Sequence, residues 1–129
     1  MLANNNVVSW FEIPVANLDR AKKFYETIFD IEMGKMEMGE DVMYTFPYTP
    51  GEGKVSGAIT LDANAISKMN GVTVYLDANP NMNAILEKIE PAGGKILMPK
   101  TEISPEIGSM AFFEDSEGNR LALHASPGN

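Results

Sequence analysis

Glu12 stands in the run Trp10-Phe-Glu-Ile-Pro14, a carboxylate among aromatic and β-branched side chains. Burying such a group costs several kcal/mol unless it is paired or protonated. It therefore reads either as a structural ion pair or hydrogen bond to a turn N–H, or as a general base or an acceptor that orients a ligand. His124 is the single histidine of the chain. It reads either as an exposed or structural imidazole or as the acid–base partner of Glu12. Arg120 follows a turn and is either solvated or a clamp for a ligand's carboxylate or phosphate. Trp10 is a packing residue or a stacking platform, and Tyr44 and Tyr48 are placed to offer hydroxyls. Together these residues suit binding of a small molecule, or metal-free acid–base chemistry by Glu12 and His124.

Other chemistries are excluded. The chain has no cysteine, so disulfides, thiolate catalysis and Cys-ligated zinc are ruled out. One histidine rules out a multi-histidine metal site within one chain. No Gly-rich phosphate loop, Gly-x-Ser-x-Gly elbow or His-Glu-x-x-His is present. A formal net charge of −8 repels nucleic-acid backbones and anionic lipid surfaces. Met1 to Asn6 lacks a cationic region leading into an apolar run, and no apolar run is long enough for a bilayer. A soluble, acidic, cytoplasmic protein is expected, with one domain over residues 1–129.

The elements that must position these residues come in two similar sets. Val7 to Val15 reads as a strand, with Pro14 near its end or on an edge. A helix follows, capped by Asn17, whose Ala21, Phe24, Tyr25 and Ile28 share one apolar face. Strands are expected at Asp30–Met38, Val42–Tyr48 and Val55–Leu61, then a connector over 62–70. Gly71–Asp77 begins the pattern again, followed by a helix over Asn81–Glu90 with Met82, Ile85, Leu86 and Ile89 on its face. Lys95–Pro99 reads as a strand, Lys100–Ile107 as a loop, and Gly108–Glu114 with Arg120–Ser126 as a hairpin. The second helix face lies 61 positions after the first, residue for residue. Such a period marks two copies of one supersecondary unit, about 7–61 and 71–126. The fold expected is α+β: two βαβββ repeats forming one curved mixed sheet, with a concave cleft and helices outside.

Phe11-Glu-Ile-Pro-Val15, Asp19-Arg-Ala21, Phe24-Tyr25 and Phe29 resemble the opening of the vicinal oxygen chelate superfamily, which includes glyoxalase I, bleomycin-resistance proteins and extradiol dioxygenases. Ala92-Gly-Gly94 and the hairpin around Asp115-Ser-Glu-Gly-Asn119 resemble its later motifs. The resemblance runs from about Val7 to Ser126 and is nearest the glyoxalase-related branch. It implies a concave cleft, commonly a homodimer, and metal ligands (His, Gln or Glu) on the first and last strand of each unit. Those positions fall on Trp10, Val72, Ala122 and somewhere in Gly57–Thr60. Indole, isopropyl and methyl groups cannot ligate a divalent cation. A metal-free binding protein without cofactor is therefore expected, as a homodimer. The alternatives are an enzyme using Glu12 and His124, or a partner-binding subunit with a vestigial cleft. If Trp10 faces the cleft, alternation brings Val8, Glu12 and Pro14 with it, and Val72, Val74, Leu76, Arg120, Ala122 and His124 from the second unit. Met33, Met36, Met38 and Met43 cluster in the first unit as core filler or an adaptable pocket lining.

Overall fold

The computed structural model describes residues 3, 4, 6, 8, 10–49, 54–62 and 72–129. β1 (Trp10–Val15) turns through Ala16 and Asn17 into α1 (Leu18–Phe29). Asn17 is extended, and its side chain accepts the Arg20 amide N–H, satisfying one of the helix's free donors. At the other end Asp30 takes a left-handed conformation, φ 52°, and its N–H closes on the Glu26 carbonyl. β2 (Gly34–Met38) and β3 (Asp41–Thr45) form a hairpin across Gly39 and Glu40, where Gly39 supplies the positive φ. β4 (Ser56–Leu61) then returns antiparallel to β3 and parallel to β1. The sheet order is β1-β4-β3-β2.

The second unit repeats this winding. It comprises β5 (Tyr75–Asp77), α2 (Met82–Ile89), β6 (Lys95–Ser104), β7 (Gly108–Glu114) and β8 (Arg120–Ala125), in the order β5-β8-β7-β6. β5 and β8 are again parallel. Asn81 caps α2 as Asn17 caps α1. Among the described residues the architecture is thus α+β, two βαβββ units with one helix each.

Three features differ from expectation. The strands form two four-stranded sheets, with β1 and β5 each at an edge, instead of one hydrogen-bonded sheet. Side chains join the units: one apolar core runs through Ile13, Ile59, Phe24, Leu76, Phe113 and Leu123. Second, the expected loop after Pro99 is strand as far as Ser104. β6 is an edge strand, so the missing Pro99 N–H costs no ladder bond, and register shifts absorb its polar stretch. Third, β5 begins only at Tyr75. The connector beyond Asp62 and through Gly71 lies outside the described residues, as do Val7 and Ser9. No helix among the described residues is long and apolar enough to cross a membrane.

α1 shows why the units pack. Ala21, Phe24, Tyr25 and Ile28 are all buried, and the Phe24 ring stacks on Phe113 of the second unit at 6.3 Å. Phe24 and Ile28 each contribute roughly 1.5–3 kcal/mol by leaving water, and the Ala21 methyl less. Phe24 also lies against Gly94, where no side chain intervenes. The helix therefore belongs to both units' cores.

Candidate functional site

The turn between β7 and β8 locks the units in position. The buried Tyr25 hydroxyl donates to Asp115 Oδ2 at 2.7 Å, and Asn119 Nδ2 donates to the Pro14 carbonyl at 2.9 Å. Asp115 Oδ1 accepts the amides of Glu117 and Asn119, shaping the turn. Burial pushes the Asp115 carboxyl above its ordinary value, against the pull of these hydrogen bonds. Burial, with the Asp115 charge beside it, likewise holds the Tyr25 phenol well above its usual range, so the hydroxyl stays a donor. Glu117 reaches back to α1, accepting the Asn17 amide and the Arg20 guanidinium.

Held this way, the units enclose an open cavity of about 1150 Å³. It lies among the start of β1, the C-terminal end of α1, β5 and α2. Trp10, Phe11, Phe29, Phe46, Val74 and Ile85 supply much of its apolar wall. Asp30, Asp77 and Lys88 bring charge to it. The volume exceeds the roughly 300–1,000 Å³ common for small-molecule sites, so a ligand of that class fits.

The candidate residues divide between this cavity and the sheet faces. Trp10 lines the cavity; its Nε1–H donates to Glu12 Oε2 at 3.2 Å, and its ring meets Tyr48 edge-on at 5.8 Å. Val72 and Val74 line it too. Val72 is 94% exposed, whereas Leu76 is buried in the core. Leu76 still contributes to the cavity wall, beside Val74, Tyr75 and Asp77. Glu12 is exposed, because its apolar neighbours Phe11 and Ile13 point to the other side of β1. The cost of burying it does not arise. Tyr44 sits opposite the buried Ile59, with the Lys22 ammonium 5.3 Å from its ring centre, so it faces α1 and not Glu12.

In the second sheet Ala122 is fully buried, flanked in register by Tyr75 and Phe112. His124 Nε2 is 2.9 Å from the Ile107 carbonyl and so acts as a donor there. It borders a separate recess of about 490 Å³ with Tyr75, Asp77 and Asn79. No hydrogen bond or ion pair joins Glu12 to His124 among the described residues, and each has its own partner. Arg120 lies over the Phe112 ring, 4.1 Å from its centre, and Nη1 donates to Thr73 Oγ1 at 3.1 Å. Phe29, Phe46, Lys88 and the cavity-facing side of Ile85 were missed by sequence reasoning. Ile85 and Leu86 are only partly buried, and no spacing in the sequence separates them from the fully buried Met82 and Ile89.

Comparison with known proteins bears on this architecture. The family model of the Glyoxalase/Bleomycin resistance protein/Dioxygenase superfamily matches residues 7–123. The chain belongs to that superfamily. A glyoxylase-like domain-containing protein of Didymella fabae is 30% identical, covering 94% of each chain. A hypothetical protein of S. aureus shares the fold with a TM-score of 0.69 at 18% identity, covering 93% of this chain and 94% of that one. A glyoxalase/bleomycin resistance protein of Albidiferax ferrireducens T118 does so at 0.65 and 20%, covering 95% and 100%.

The superfamily's metal does not fit the residues present at its ligand positions. The Trp10 indole nitrogen is a donor only and is already engaged with Glu12. Ala122 offers a buried methyl and Val72 an exposed isopropyl group. Among the described residues no three His, Cys, Asp or Glu side chains converge. In this superfamily member no step is therefore derived through a metal.

Proposed function

We propose that the protein binds a small molecule with an apolar body in the cavity between its two units, without a metal. The carrying observation is the cavity itself, walled by Trp10, Phe11, Phe46 and Ile85 with few charged groups at its margins. Glu12 and His124, in separate sheets with separate partners, do not form an acid–base pair, which favours binding over catalysis by those two groups.

Trp10 is the single tryptophan, so its indole N–H gives one NMR resonance inside the site. Titration with phenylacetamide should move that resonance saturably. No saturable shift up to the solubility limit overturns the reading. Elemental analysis after dialysis should find no stoichiometric transition metal; one per chain would overturn the metal-free part.

The functional unit is a homodimer in this proposal. Val8, Tyr48, Val55 and Val72 are exposed apolar side chains, and β1 and β5 are both edge strands. Two-fold pairing is the commonest way such surface is covered. Light scattering should return twice 14.1 kDa; a monomer mass at all accessible concentrations rejects it.

A further inference from the structure

Resting on the cavity reading above, we infer that the ligand is an organic carboxylate with a flat apolar body, and that Arg120 takes its carboxylate. The β7–β8 ladder sets Arg120 directly opposite Glu114, yet the two form no ion pair. The guanidinium lies instead over Phe112 and bonds Thr73. The chain has 18 acidic residues against 10 basic ones. In so acidic a molecule, a guanidinium turned away from the carboxylate across the ladder is an available anion site.

The local construction fixes that guanidinium. The Phe112 ring supports one side of the fork, and Thr73 Oγ1 holds one Nη. Arg presents five N–H donors, so most remain for a ligand, in the planar geometry that matches two carboxylate oxygens. The position connects to the cavity. Thr73 and Tyr75 both line it, and Tyr75 meets Phe112 edge-on at 6.0 Å. Between them the ladder places Ala122, whose methyl is buried beneath the two rings, so Tyr75 and Phe112 form one continuous aromatic surface from the cavity to Arg120. A ligand whose body occupies the cavity reaches Arg120 by passing Thr73. A net charge of −8 disfavours dianions more than monoanions, so a carboxylate is preferred to a phosphate monoester.

The test compares phenylacetate with its neutral isostere phenylacetamide, followed at the Trp10 indole resonance and the Arg120 Nε resonance. Phenylacetate should bind about tenfold more tightly, an advantage that shrinks in about 0.5 M salt. In Arg120→Gln the acid should lose its advantage and fall to about the amide's affinity, while the amide loses much less than the acid. Arg120→Lys, which keeps the charge and loses the fork, should retain part of the advantage and serves if Arg120→Gln does not fold. Equal affinities in the wild type, or an advantage that survives Arg120→Gln, overturns the inference and leaves the cavity reading standing. If phenylacetamide itself does not bind, the cavity reading falls and this inference with it.

Discussion

The Glu117 carboxylate receives both Nε and Nη2 of Arg20, at 2.6 and 2.8 Å, across the junction between the two units. The Glu117 side chain is 1% exposed while that of Arg20 is 55% exposed, so the acid is the buried partner. The pair closes on the first turn of α1, where the Asn17 amide also donates to Glu117. A carboxylate there suits the positive end of the helix.

Glu117→Gln should therefore destabilise the protein at pH 7, by about 1–2 kcal/mol from lost charge-assisted hydrogen bonds. The pH dependence follows from the direction of the shift. Burial alone would raise the Glu117 carboxyl, but the Arg20 guanidinium, the Asn17 amide and the Ser116 hydroxyl outweigh it, and the net shift is downward. A lowered folded-state value means the stabilisation is present above the unfolded value and lost as pH falls through the folded one. The difference between wild type and Glu117→Gln in urea unfolding should shrink steadily below about pH 4.5. A difference that grows in acid contradicts this.

Asp115, two residues earlier in the same turn, has the opposite sign. Its carboxyl is raised, so its contribution is present below the unfolded value and lost as pH rises through the folded one. Tyr25→Phe removes a hydroxyl that donates to the buried carboxylate and leaves nothing of equal polarity in its place. Destabilisation of about 1–3 kcal/mol is expected at pH 7, less once Asp115 is protonated. Urea unfolding at both ends of the range measures it. An NMR titration of the Asp115 carboxyl carbon should also show its midpoint moving further up.

The two helices were legible because their contacts are local in period. Ala21, Phe24, Tyr25 and Ile28 announce one face by spacing alone, and the capping of α1 by Asn17 follows from residue type. The winding was legible through the repeat. The site was not, for two physical reasons. Glu12 has apolar neighbours in sequence, but β alternation sends them to the opposite face, so local composition overstates its burial. The cavity wall is assembled from α1, β1, β5 and α2, and the turn that fixes their relation joins Asn17 to Glu117, 100 residues apart. No periodicity carries a contact of that range.

Gly94 tests the packing of α1 on the second unit. A Cβ there would stand 2.6 Å from the Glu114 carbonyl oxygen and 2.7 Å from the Phe24 ring. Neither can yield without moving the β6–β7 ladder or the helix. Gly94→Ala should therefore destabilise by about 1–3 kcal/mol. Gly39→Ala, at φ +64° with open space around it, should cost only the left-handed backbone term, about 1–2 kcal/mol. The two are separated by cavity-binding data as well as by stability. Gly94→Ala should weaken phenylacetamide binding because it shifts α1, whereas Gly39→Ala should leave it unchanged.

Glu12→Gln separates an exposed acceptor from a catalytic or structural carboxylate. Glu12 is exposed, and among the described residues its hydrogen bond comes from the Trp10 indole N–H. Glutamine keeps a side-chain oxygen that accepts the same N–H, so neither a buried charge nor a donor is left unsatisfied. Surface changes of this kind fall within about 0.5 kcal/mol. Unfolding in urea at pH 7 should accordingly be indistinguishable from wild type within that margin. The Trp10 indole resonance should shift, since its acceptor changes from a carboxylate to an amide, while phenylacetamide affinity stays the same. A loss of more than about 1 kcal/mol would show a partner for Glu12 beyond Trp10, well outside the range of a surface change. Lost binding at unchanged stability would instead place Glu12 in contact with the ligand and extend the site from the cavity onto the open face of β1.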